Sequence, residues 1–209
     1  MSRLILASAS PRRKELLTRL GIPFDVRPVD IDEHPGKSTN PQVVARRLAR
    51  EKAEAARLID EYAPVIAADT VVALDGRLLG KPEDAREARE MLRALRGRTH
   101  EVVTGVALMP LGKRSALVRH PVTHVTLREY TDDDIAASIA AGHPFDKAGA
   151  YAIQDRRLHP VERYDGCYCN VIGLPLWSTI ELLRKSGQPI DASAVDWLPQ
   201  CATCPLTLP

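Results

Sequence analysis

Two residues capable of holding an anion stand side by side in "LILASASPRRKELLTRLG", residues 4–21: Arg12 and Arg13. Ser10 is a good helix N-cap and Pro11 fits the first helical position, so the arginines fall in the first turn. That end of a helix carries positive dipole and unpaired N–H groups, and Glu or Gln is the usual occupant where Arg13 sits. Cations crowding a positive helix tip call for a negative ligand. Asp69 and Thr70 interrupt the most hydrophobic strand pattern, "PVIAADTVVAL". A carboxylate there costs several kcal/mol unless paired or metal-bound, which points to a base or a metal ligand, or else to a strand end. Lys52 continues the inward stripe of Val44 and Leu48, so its amine is either aimed at a phosphate or snorkels to water. Lys81 precedes Pro82 at an expected second helix start, as a second phosphate contact or a solvated turn lysine. Glu33 lies with Asp30 and Asp32 in an acidic loop, where either one of the three shares a divalent cation with Asp69 or all are simply solvated. In "HPFDKAGAYAIQ", Asp146, Lys147 and Gly149 precede Gln154, whose amide offers a donor and an acceptor to a base edge.

The chain around these residues is 209 residues long with a net charge of +2. That is enough for one sizeable or two-lobed domain, with no global attraction to nucleic acid or membrane. Nine aromatic residues (two Trp, five Tyr, two Phe) and no basic stripe argue against a nucleic-acid platform. No apolar run approaches the ~20 residues of a membrane span, and the opening "MSRLILASAS" reads as a core strand, so a cytoplasmic location is expected. No G-x-x-x-x-G-K-[ST], G-x-G-x-x-G or G-x-S-x-G motif is present. The six histidines are scattered and read as surface or structural. Cys167, Cys169, Cys201 and Cys204 form C-x-C and C-x-x-C pairs. They are open to three readings: a four-thiolate zinc site, one or two disulfides, or ordinary thiols on a strand and a tail.

The elements that must position the polar residues alternate. Strands are expected at 3–7 and 22–29, with a helix at 11–20 ended by Gly21. Asn40 caps a helix from Pro41 to about Ile59. A central strand runs through "PVIAADTVVAL" and returns through a hairpin at Asp75-Gly76. Pro82 opens a helix to about Arg96, and "HEVVTGVALM" is a strand. A long strand covers about 115–128, and Thr131 with Asp134 forms a capping box for a helix ending at Gly142. "CYCNVIGL" is expected as the last strand, Pro175 as the start of a final helix to about Lys185, and residues 187–209 as a tail. Crossovers together with hairpins give an α/β fold with a mixed sheet.

Five ordered blocks, "LILASASPRRKELLTRLGIPFDV", "IAADTVVALDGRLLGKPED", "GRTHEVVTGVAL", "FDKAGAYAIQ" and "NVIGLPL", resemble the Maf family of nucleoside triphosphate pyrophosphatases over about residues 3–185. The resemblance implies a two-lobed α/β structure, a mixed sheet flanked by helices with an active-site cleft between the lobes, broadly like the inosine-triphosphate pyrophosphatases. The domain would span 1–186, followed by the tail 187–209. It implies hydrolysis of a triphosphate to monophosphate and pyrophosphate with Mg²⁺ or Mn²⁺. Asp69 would be the proton acceptor, and Glu33, Lys52 and Lys81 further catalytic positions, with Asp69 and Glu33 holding the metal. Ser8, Ser10, Arg12 and Arg13 would bind phosphates, and Arg12, Thr70 and Gln154 would set base choice. "DKAGAYAIQ" resembles the subgroup acting on dTTP and UTP. Alternatives are a 7-methyl-GTP or modified-nucleotide pyrophosphatase, or a nucleotide-binding cell-division regulator with little turnover. Members are often dimers, which implies a homodimer; no nucleic acid or membrane partner is expected.

Overall fold

Residues 65–74 form the spine of the molecule, because apolar side chains on both faces of the strand demand cover on both sides. The computed structural model describes residues 3–206. In chain order the elements are β1 (Leu4–Leu6), α1 (Pro11–Thr18), β2 (Phe24–Val26), α2 (Pro41–Ile59), β3 (Val65–Leu74), β4 (Arg77–Leu79) and α3 (Ala85–Leu95). Then follow β5 (Thr99–Met109), β6 (Leu117–Arg119), β7 (Val122–Leu127), α4 (Asp132–Ala140), β8 (Val161–Asp165), α5 (Tyr168–Ile172) and α6 (Leu176–Lys185). One mixed sheet has the order β2-β1-β3-β5-β7-β8, with β4 paired to β3 and β6 to β5. β1 is parallel to β2 and β3; the other pairs are antiparallel.

β3 and β5 are long enough to serve two lobes. On one face of their first lobe, Ile66, Ala68, Val106 and Leu108 pack with Leu16 and Leu17 of α1 and Ile180 and Leu183 of α6. On the other face, Val65, Ala67 and Ala107 meet Ala49, Ala53 and Ala56 of α2. The second lobe gathers Val72, Leu74 and Val102 with Leu92 and Leu95 of α3 and Ile135 of α4. Each such fully buried Leu or Ile contributes roughly 1.5–3 kcal/mol of transfer free energy.

α2 lies unusually close to the sheet. Its buried line includes Ala45, Ala49 and Ala53, and Gly105 of β5 faces it directly. A Cβ at Gly105 would stand 2.1 Å from the Ala45 carbonyl oxygen. Only a bare backbone at 105 lets the helix settle at this depth.

Several local expectations are corrected. Pro82 does not open a helix: Asp84 caps it, accepting from the Glu87 N–H, so α3 starts at Ala85 and Lys81 lies in the preceding loop. The long strand at 115–128 is broken at His120-Pro121, where proline has no N–H for the ladder, giving β6 and β7. "CYCNVIGL" is not a strand. Residues 168–172 form one helical turn, closed where the N–H groups of Gly173 and Leu174 both reach the Cys169 carbonyl. Gly173 takes a φ of 121°, a conformation that ends the turn. β8, in the polar stretch "VERYD", has no apolar alternation to reveal it and forms by pairing with β7. Residues 187–206 do not trail away: Ile190, Val195, Cys201 and Cys204 are buried in the first-lobe core, and Trp197 stacks on Trp177 with ring centroids 4.1 Å apart.

Candidate active site

The β1–α1 junction builds the first wall. Ser10 is the N-cap, its Oγ accepting the Arg13 N–H at 3.4 Å. Ser8, buried at the end of β1, accepts the Ser10 N–H at 3.2 Å and Arg13 Nη1 at 3.4 Å. The Arg13 fork is fully directed: Nε donates to the Gly173 carbonyl at 3.0 Å and Nη2 to Thr70 Oγ1 at 3.2 Å. Desolvation draws the Arg13 pKa below its ordinary value, against the pull of Asp69 and Glu33.

The Thr70 hydroxyl has its direction fixed by its neighbours. Thr104 Oγ1 donates to the Asn170 carbonyl at 2.7 Å, so in the 3.0 Å contact between the threonines Thr70 is the donor and Thr104 the acceptor. That leaves Thr70 accepting from Arg13. Buried Asn170 anchors the relay, accepting the Thr104 N–H at 2.9 Å and donating to Val102 O and Thr123 Oγ1 at 2.9 and 2.8 Å.

Adjacent residues on β3 point to opposite faces, so Asp69 faces α2 while Thr70 faces Arg13. Lys52 Nζ lies 2.6 Å from Asp69 Oδ1 and 2.6 Å from Glu33 Oε1. Lys52 and Asp69 are both buried. Lys81, more exposed, reaches Glu33 Oε2 at 3.4 Å. Partial burial opposes ionisation of Glu33, yet Lys52 and Lys81 hold its carboxyl below the usual range. Asp30 and Asp32 are not drawn into this cluster; Asp32 caps a turn, accepting the His34 N–H at 2.9 Å.

The facing rim comes from residues 146–154. Arg12 pairs with Asp146 at 3.4 Å, and Lys147 hydrogen-bonds Asp146 and the His143 carbonyl. Gln154 is exposed on the same rim. The ten residues to which the resemblance gives site roles, from Ser8 to Gln154, all line one cleft of about 600 Å³, a volume in the range of small-molecule sites. Five cations line it (Arg12, Arg13, Lys52, Lys81 and Lys147) against three acids, Glu33, Asp69 and Asp146. Sequence reasoning missed Thr104 and Asn170, the pair behind Thr70. Neither has a chemical signature of its own; a threonine amid the apolar β5 run was the one available sign.

A family model described as "Maf-like protein" matches residues 3–186. The chain belongs to the Maf family. Among curated Maf relatives, the dTTP/UTP pyrophosphatase of Thermomicrobium roseum is 56% identical over 207 residues, covering 97% of this chain and 93% of its own. That of Moorella thermoacetica is 50% identical over 189 residues, covering 90% of this chain and 96% of its own. That of Citrifermentans bemidjiense is 46% identical over 186 residues, covering 89% and 96%. Among solved structures, a HAM1 protein from Coxiella burnetii superposes with a TM-score of 0.38 at 20% identity over 61% of this chain and 73% of its own, too slight a likeness to inform the fold. In this Maf chain no described helix is long and apolar enough to cross a membrane.

Proposed function

We propose that the chain hydrolyses nucleoside triphosphates, dTTP and UTP foremost, to the monophosphate and pyrophosphate. The observation that carries this reading is the convergence of Asp69, Lys52, Glu33, Arg13 and Lys81 on one cleft with the cationic start of α1. The relatives that match across most of the chain are named dTTP/UTP pyrophosphatases.

In this mechanism the phosphates lie against Ser8, Ser10, Arg12 and Arg13 at the helix start, where N–H groups and guanidinium charge offset the negative charge that builds on the departing pyrophosphate. Lys81 and Lys147 approach from the opposite rim. Asp69 orients the attacking water and takes its proton as the anhydride between the α- and β-phosphates breaks. Lys52 fixes the Asp69 carboxylate and ties it to Glu33. The donor set suits a hard divalent cation. Asp69 and Glu33, both contacted by the Lys52 ammonium, are hard oxygen donors which, completed by substrate phosphates, would hold Mg²⁺ or Mn²⁺. Such an ion would supply polarisation of a phosphoryl oxygen.

Gln154, exposed on the rim, reads the edge of a pyrimidine base. Thr70, whose hydroxyl is committed to Arg13 and Thr104, acts on base choice through the position of Arg13. The decisive experiment is pyrophosphate release by purified protein with dTTP, UTP, dCTP, GTP and 7-methyl-GTP, each with Mg²⁺ or Mn²⁺. The highest kcat/KM is expected for dTTP and UTP. Preference for 7-methyl-GTP would reassign the substrate, and binding without turnover would favour a regulatory protein. We also propose that the protein works in the cytoplasm, as a homodimer, without a nucleic acid or membrane partner.

A further inference from the structure

The pyrophosphatase reading makes no use of the four cysteines, yet all of them converge. Cys167 and Cys169 flank the start of α5, and Cys201 and Cys204 lie on and just after the 3-10 turn Pro199–Thr203. All four are buried in the first-lobe core, and none is in a disulfide. Their sulfurs run in one chain of contacts: Cys201 to Cys169 at 3.5 Å, Cys169 to Cys167, and Cys167 to Cys204.

We propose that Cys167, Cys169, Cys201 and Cys204 are the ligands of a structural zinc site that clamps residues 187–206 onto the catalytic domain. Distance separates this from a disulfide. Four thiolates about 2.3 Å from a tetrahedral zinc stand roughly 3.8 Å apart, whereas bonded sulfurs stand about 2.05 Å apart. The observed 3.5 Å lies close to the first value and far from the second. The surroundings agree. All four thiols are packed into one apolar core with few competing hard ligands nearby. The sulfurs meet pairwise, and no three or more of the described Cys, His, Asp or Glu residues are drawn about a common point. As they stand the four thiols are not arranged to hold a metal ion, so the proposed site requires side-chain rotation on capture to bring the four sulfurs about the zinc. Soft, all-sulfur tetrahedral donors select zinc over the hard cation proposed for the cleft. The clamp adjoins the active site through the chain itself: Asn170 follows Cys169, and the Gly173 carbonyl at the end of α5 holds Arg13.

The test uses full-length protein purified without chelator under reducing conditions. About one zinc per chain is expected by elemental analysis. Titration with an organomercurial should release that zinc as four thiols react. Replacement with Co²⁺ should give the strong absorption of a tetrahedral cobalt–thiolate centre, and Cys201→Ser with Cys204→Ser should abolish it. The wild-type measurements stand even if the double variant does not fold. The proposal is overturned if reduced protein incubated with Zn²⁺ retains none after desalting. It is equally overturned if Co²⁺ gives no thiolate band, or if non-reducing mass analysis finds the cysteines in disulfides.

Discussion

Lys52 of α2 and Asp69 of β3 meet at 2.6 Å with both side chains out of water. A buried ion pair adds little net stability, but removing one partner leaves a stranded charge at a cost of about 3–5 kcal/mol. Here Lys52 also has Glu33 at 2.6 Å, so the cluster tolerates loss of the Asp69 charge. Asp69→Asn is therefore expected to keep the fold and lose about 10²–10⁴-fold in turnover. Circular dichroism and pyrophosphate release check the two halves. Near wild-type turnover would remove Asp69 as the base.

Arg12 makes one ion pair, to Asp146, and is otherwise turned to the cleft. Arg12→Ala should raise KM for dTTP and UTP about ten- to a hundredfold, the worth of a charge-assisted hydrogen bond, with a smaller change in kcat. Steady-state kinetics decide it; an unchanged KM takes Arg12 out of the phosphate site.

Thr104 touches no substrate in this reading and serves as a positioning residue. Thr104→Val removes the acceptor that sets the Thr70 hydroxyl and unpairs the Asn170 carbonyl. We expect kcat/KM to fall about tenfold and Thr104→Ser to restore it. Equal kinetics for the Val and Ser variants would show that the relay does not tune Arg13.

His100 is buried beside the cleft-lining Tyr151, with Nε2 2.6 Å from the Tyr151 hydroxyl. Burial lowers its pKa from 6.5 to about 4. Because the folded pKa is depressed, the unfolded chain binds the extra proton first. The contribution is whole above pH 6.5 and is lost as pH falls through about 4, amounting to roughly 3 kcal/mol. Urea unfolding of wild type and His100→Gln between pH 7 and 4 should show a shallower decline in the variant. Parallel curves would exclude His100 as the cause.

Much of this was legible because it rests on local chemistry. Ser10 before Pro11 declares its cap, Asn40 before Pro41 another, and Thr131 with Asp134 forms the expected capping box. Lys52 and Asp69 betrayed themselves as charges in apolar patterns. What stayed hidden depends on partners distant in sequence. β8 exists through β7 rather than through its own residues. The turn at 168–172 presents the same apolar run a strand would, and Gly173 decides between them. Residues 187–206 read as a tail because Pro and small residues signal no element. Their burial follows from an apolar face on α6 that needed cover. Asn170 and Thr104 became visible only when β5 and α5 were brought side by side.

The absence of a side chain at Gly105 fixes how deeply α2 seats, and with it how near Lys52 comes to Asp69. Part of the geometry of the cleft is thus written in a residue with no functional group. A redesign that preserved every charged residue of the cleft but thickened the sheet at that one point would hold the acid and its ammonium apart, and would yield a protein complete in its inventory yet wrongly spaced.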